Sequence, residues 1–233
     1  MAEAEERHWW YPATRALLSE AFAPRVAPGA RVLDAGCGTG SAGGWLAEGH
    51  RVVGLDPEPL ALGLYRERRP DVRLVRGGIE SLPFADESFD AVLVVTVLYH
   101  EAVADPAVAL ASLARVLRPG GMACVLEPGM PSLRRGHDRV TRTARRFTVR
   151  GLRDLVAGAG LEPLRATGAY TFLVPPAFAK ALVERGRSKS DLEGDGGVAG
   201  RMLSRVAALE RRVLASRDLP TGLSVQVVAR KPA

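Results

Sequence analysis

Lysine is nearly missing from these 233 residues: it stands only at 180, 189 and 231, and arginine supplies the rest of the 32 basic side chains. The bias, together with abundant Ala, Gly and Val, fits a GC-rich genome and makes an arginine-rich surface the default reading of any basic run. Cysteine is as scarce. Cys37 and Cys124 are the only two, each within an apolar, strand-like segment, which excludes a disulfide framework and a cysteine-based zinc site. The four histidines, at 8, 50, 100 and 137, are too scattered for a local metal motif, so no metal is expected. No apolar run approaches the roughly 20 residues of a membrane-spanning helix, so no membrane insertion is expected. The opening MAEAEERHWWYP has neither the basic patch nor the apolar stretch of a secretion signal, and a cytoplasmic location is expected.

What is present suffices for one globular domain: 47% apolar and 25% charged residues, with a formal net charge of +6 that permits acidic ligands or nucleic acid without demanding either. From residue 31 onward strand-like and helix-like segments alternate. Short apolar runs at Val32-Leu33, Val52–Leu55, Val72–Val75, Ala91–Val95 and Met122–Leu126 read as buried strands. Helical stretches are expected at Ser41–Glu48, Pro57–Arg69 and Asp105–Arg118, the last with Asp105 as cap, Pro106 in the first turn and Pro119-Gly120-Gly121 as stop. A helix near Thr148–Ala157, a strand at Leu161–Ala166 and a final strand at Leu223–Ala229 complete the pattern. Such alternation predicts parallel strands with right-handed crossovers in an open, doubly wound α/β sheet that binds ligands at the carboxyl ends of its strands.

Between the first strand and helix, Asp34-Ala-Gly36-Cys37-Gly38-Thr-Gly40 sets three glycines at alternate positions, where the backbone can approach a ligand closely. Ser41 stands where a dinucleotide fingerprint wants Gly or Ala. Asp34 is placed to hold the loop and meet an ammonium group. Asp56, closing the second strand, is placed to accept from two ribose hydroxyls.

These residues, with Leu82-Pro83-Phe84, Ser88-Phe89-Asp90 and Leu113-Ala-Arg-Val-Leu-Arg-Pro-Gly-Gly121, resemble the class I S-adenosylmethionine-dependent methyltransferases over residues 31–128. The resemblance implies a Rossmann-like seven-stranded sheet with the last strand antiparallel and helices on both faces. It also implies S-adenosylmethionine as cofactor, with S-adenosylhomocysteine as product, and no metal. Residues 1–29 would form a helical lid, 30–169 the cofactor-binding core, 170–220 a helical acceptor-side insertion with a mobile run at 188–200, and 221–233 the last strand. Cofactor contacts are expected from Tyr11, Arg15, Asp34, Gly36, Cys37, Gly38, Gly40, Asp56, Pro57, Gly78, Ile79, Glu80 and Val95. One departure stands out: relatives often carry Asp before Ala-Glu at the adenine-binding turn, where this chain has Gly78, leaving backbone near Ile79, or Glu80, to meet the adenine.

His100, at the end of the fourth strand, is the candidate general base, set against a local packing role. The run His8-Trp9-Trp10-Tyr11 resembles the opening of a bacterial subgroup in which an amino-terminal helix covers the cofactor, Tyr11 and Arg15 meeting its methionine end. Eight arginines between 134 and 153, against the single acid Asp138, could border an acceptor pocket or pair with Glu127 or Asp154. The expected partner is a small-molecule acceptor, with the protein a monomer or homodimer. RNA methylation is the rival, disfavoured because the fourth strand lacks the Asn/Asp-Pro-Pro-aromatic run that holds a flipped base. A non-methylating cofactor-binding relative is the other.

Overall fold

The computed structural model describes residues 8–133, 136–183 and 197–233. Residues before His8, Arg134 and Arg135, and positions 188–196 of the expected mobile run lie outside the described residues. Seven strands form one sheet: β1 (Arg31–Ala35), β2 (Arg51–Asp56), β3 (Arg73–Arg76), β4 (Phe89–Val95), β5 (Leu117–Pro128), β6 (Glu162–Ala169) and β7 (Ser224–Arg230), in the order 3-2-1-4-5-7-6. The pairs β3-β2, β2-β1, β1-β4 and β4-β5 are parallel. Strand β7 runs antiparallel between β5 and β6. The chain steps outward from β1 to β3 and then returns to place β4 on the other side of β1, which opens a crevice beyond the carboxyl ends of β1 and β4.

Seven helices accompany the sheet among the described residues: α1 (Trp10–Ala21), α2 (Pro59–Arg68), α3 (Pro106–Val116), α4 (Gly136–Val140), α5 (Val149–Gly158), α6 (Val174–Val183) and α7 (Val198–Leu214). Strand residues alternate between the two faces, as the pleat requires. Val32, Ala91, Leu93 and Val95 join Leu17, Phe22, Leu62, Tyr65 and Leu214 in a core under α1, α2 and α7. Leu33, Val92 and Val94 join Leu110, Leu113, Leu152 and Val156 in a second core under α3 and α5. Capping sets the helix starts: the side chain of Asp105 accepts from Ala107 N at 2.8 Å and Thr148 Oγ1 from Gly151 N at 2.9 Å.

Two elements depart from the sequence reading. The helix expected at Ser41–Glu48 is a run of turns ending in a 3₁₀ segment, Gly44–Glu48, because Gly43 and Gly44 weaken helical order and Gly43 lies so close to Asp34 that an added Cβ would sit 2.3 Å from its carboxylate. Strand β5 begins at Leu117 instead of Met122: Leu117 pairs with Phe89, and the stop signal Pro119-Gly120-Gly121 falls inside the strand, where Gly120 N donates to Lys231 O at 2.9 Å.

Candidate active site

The glycine loop is built by backbone that only glycine adopts readily. Gly36, Gly38 and Gly40 have φ of 76°, 53° and 81°. A Cβ on Gly36 would lie 2.3 Å from Val97 Cγ2, and one on Gly40 2.5 Å from the Tyr65 ring, whereas one on Gly38 would meet nothing within 4 Å. The loop is thus packed from beneath and open at its centre. Gly36 N and Cys37 N donate to Leu55 O at 2.7 and 3.0 Å. Asp56 clasps the loop: one carboxylate oxygen accepts from Gly38 N and the other from Glu58 N, both at 2.9 Å. Arg15 reaches it from α1, donating to Ser41 O at 3.0 Å. Arg68, which the sequence reading missed, donates to Thr39 Oγ1 at 3.1 Å and Ser41 Oγ at 2.8 Å.

Asp34 is buried behind this loop, and its Oδ2 has no hydrogen-bond partner. Burial, and secondarily the charge of Asp56, pushes its carboxyl up to about 7. Cys37 is buried as well, and its thiol is pushed up by burial and then by Asp34 and Asp56. An orphaned buried carboxylate oxygen beside an open, glycine-lined turn fits a ligand that brings an ammonium group and ribose hydroxyls, so the residues present suit S-adenosylmethionine.

The remaining expected contacts divide. Pro57 follows the clasp, its carbonyl accepting from Arg76 Nε at 3.2 Å. Gly78 is exposed with open space at its Cβ, and Ile79 is buried beside it. Glu80 is committed elsewhere: its carboxylate accepts from Ala104 N at 3.2 Å and Asp105 N at 2.9 Å, anchoring the approach to α3. This geometry offers no Glu80 carboxylate to stand in for the acid missing at Gly78. Val95 is buried at the end of β4, and Thr96 follows with φ 53°.

Beyond these strand ends lies a cavity of about 370 Å³ lined by Trp9, Trp10, Tyr11, Tyr99 and Tyr170, by Leu173, Pro176 and Leu203, and by Thr96, Asp138, Thr143 and Arg146 among its polar groups. The structure puts Tyr11 in this cavity, whose lining includes no residue of the glycine loop. Trp9 meets Tyr170 edge to face at 5.4 Å, and Tyr170 Oη shares a 2.9 Å hydrogen bond with Thr14 of α1, so the amino-terminal helix and the end of β6 form one wall. Tyr170 sits at φ 57°. It is held there by Glu210 of α7, whose carboxylate accepts from the N–H groups of Tyr170, Thr171 and Phe172.

His100 does not reach this cavity. Its Nδ1 accepts from Ala102 N at 3.0 Å, which in the neutral ring puts the proton on Nε2 and leaves no lone pair for a substrate. The geometry supports the local packing role instead of the general base. Arginines of the run are tied into the structure, Arg146 while lining the cavity. Arg145 donates to Leu98 O and Val103 O at 2.9 and 2.7 Å, Arg146 forms a buried ion pair with Asp138, and Arg150 and Arg153 pair with Asp154. Glu127 receives the backbone N–H groups of Val97, Leu98 and Tyr99 and feels the charge of Arg145, with no ion pair to an arginine among the described residues.

The sheet order, the antiparallel β7 and the glycine loop clasped by Asp56 define a Rossmann-like methyltransferase fold. Residues 33–125 match the family model described as a methyltransferase domain. Over those residues the chain is similar to the class I S-adenosylmethionine-dependent methyltransferases. It is 42% identical over 106 residues to a demethylmenaquinone methyltransferase of Renibacterium salmoninarum, covering 45% of this chain and 44% of that protein. To a protein of Mycolicibacterium smegmatis described as a probable S-adenosylmethionine-dependent methyltransferase it is 32% identical over 170 residues, 72% of this chain and 64% of the other. Among solved structures, the cyclase SpnF superposes with a TM-score of 0.63 at 26% identity, over 94% of this chain and 80% of that one. The chain thus spans about half the length of the curated relatives it matches. Among the described residues no group of His, Cys, Asp and Glu could hold a metal ion, and no helix is long and apolar enough to cross a membrane.

Proposed function

We propose that this protein transfers a methyl group from S-adenosylmethionine to a small-molecule acceptor held in the aromatic-walled cavity. The observation that carries the reading is the placement of both parts at one end of the sheet: the clasped glycine loop beyond β1 and β2, and the cavity that begins at Thr96 beyond β4. When bound, the cofactor would supply an electrophilic methyl on a sulfonium sulfur, whose departure as a neutral thioether would allow in-line transfer of the methyl to an acceptor lone pair. The protein's task is then positioning and exclusion of water. Asp56 keeps the loop open and stands beside the ribose position, Asp34 faces the amino group, and Arg15 holds α1 to the loop at Ser41. Trp9, Trp10 and Tyr170 give the cavity large rigid faces, which suit an acceptor with a flat apolar body, such as a precursor of a secondary metabolite.

Calorimetric titration with S-adenosylmethionine and S-adenosylhomocysteine tests this, with nicotinamide dinucleotides as controls and Asp56→Ala as the variant. Saturable binding of the first pair, lost in the variant because Gly38 and Glu58 lose their acceptor, is the expected result and leads to an acceptor screen with labelled methyl. A folded protein that binds neither compound overturns the reading. Tight cofactor binding without turnover on any acceptor class would place the chain with non-methylating relatives.

A further inference from the structure

Glu127, the penultimate residue of β5, is wholly buried yet carries a carboxylate. Its Oε1 accepts from Val97 N at 3.0 Å and Leu98 N at 2.8 Å, and its Oε2 from Tyr99 N at 3.1 Å. Three consecutive amides that leave β4 without ladder partners therefore converge on one side chain. The same segment is gripped on its carbonyl side by Arg145, through Leu98 O and Val103 O, and Tyr99 O accepts from Ala144 N at 3.0 Å. The turn begins at Thr96, a non-glycine residue at φ 53°, a conformation that persists only where the surroundings impose it.

What this grip holds is the junction of the two halves of the site. Val97 lies against Gly36, where an added Cβ would stand 2.3 Å from its Cγ2, so the segment forms one side of the glycine loop. Thr96 and Tyr99 line the acceptor cavity. We propose that Glu127 is the positioning residue that sets the glycine loop and the acceptor cavity in register, by gathering the amides of residues 97–99 onto one carboxylate. The inference rests on the reading of the glycine loop as the cofactor site. Glutamine at this position would keep one acceptor oxygen and turn an amide donor toward Tyr99 N–H, and alanine would leave all three amides unpaired in the interior.

The test is S-adenosylhomocysteine affinity by calorimetry, read beside the melting temperature, for the wild type, Glu127→Gln and Leu161→Ala. Leu161 is buried just before β6, the edge strand that β4, β5 and β7 separate from β1 and its glycine loop. Its truncation lowers the melting temperature and leaves affinity within about twofold, whereas Glu127→Gln weakens binding about tenfold. Val97→Ala, which shortens the half-buried side chain that the segment lays against Gly36, supplies the second route and also weakens binding about tenfold. A folded Glu127→Gln protein with wild-type affinity overturns the proposal, as does an unchanged affinity in Val97→Ala should Glu127→Gln fail to fold. Absence of binding by the wild type overturns the cofactor reading itself.

Discussion

Asp34→Asn isolates the electrostatic cost of the carboxyl buried behind the glycine loop. Desolvation, followed by the neighbouring charge of Asp56, raises its pKa from 3.8 to about 7. Below 3.8 folded and unfolded chains both hold the proton. Between 3.8 and about 7 the unfolded chain ionises while the folded one does not, so stability falls as pH rises through that window, and above about 7 the loss is complete. From pH 5 to pH 8 the titration spans about two pH units, or about 3 kcal/mol at 1.36 kcal/mol per unit. Asparagine has the same shape and no titration. Its pH-independent costs cancel when the difference between wild type and variant is compared at the two pH values, as does the titration of Glu127, whose carboxyl burial also raises to about 7 in both proteins. Urea unfolding followed by circular dichroism should therefore show the variant gaining about 3 kcal/mol on the wild type between pH 5 and pH 8. Parallel stability profiles would refute the assignment of a buried, unpaired carboxyl. The same proton gives a ligand readout: an ammonium brought to the orphaned Oδ2 favours the ionised form. Binding of S-adenosylhomocysteine near pH 7 should release protons from the wild type and not from the variant, seen as a buffer-dependent binding enthalpy.

Gly40→Ala should destabilise the fold by about 3 kcal/mol, since φ of 81° strains any side chain and the new Cβ would lie 2.5 Å from the fully buried Tyr65 ring. A thermal melt should fall by roughly 6–12 °C, and an unchanged melt would mean that Tyr65 can withdraw. His100→Asn, which keeps an acceptor for Ala102 N, should leave methyl turnover within about twofold of wild type, and a loss on the order of a hundredfold would restore His100 as a base.

Much of this architecture was legible because its causes are local. Alternating short apolar runs and amphipathic stretches announced the doubly wound sheet, and Asp105 and Thr148 announced helix starts through bonds to amides two and three residues on. The alternate glycines marked a turn that no other residue adopts readily, with positive φ at all three. The residue types at the ends of β1 and β2 marked the loop that Asp56 clasps. The amphipathic stretches of the insertion likewise correspond to α6 and α7, although the segment between them lies outside the described residues.

Tertiary structure decided how the polar residues are used, because a side chain's partner there is often tens of residues away. Glu127 reaches amides 28 to 30 positions earlier, and Glu80 reaches ones 24 and 25 positions later. No periodicity encodes such distances. The arginine run reads as a basic surface in the sequence, yet Arg145 is committed to backbone carbonyls, and Arg146 is held by Asp138 and Gly129 O with its Nε left without a partner in the wall of the cavity. His100 has the right chemistry for a base, and a single amide hydrogen bond two residues away removes the lone pair that the role needs. The cavity depends on Trp9, at the start of the first helix, meeting Tyr170, which follows the sixth strand. Sequence determined the scaffold and the kind of loop it carries, through local backbone preferences and the burial of apolar faces. Only the folded chain determined which charges remain for a ligand, because buried amides and carbonyls claim the side chains that come within reach.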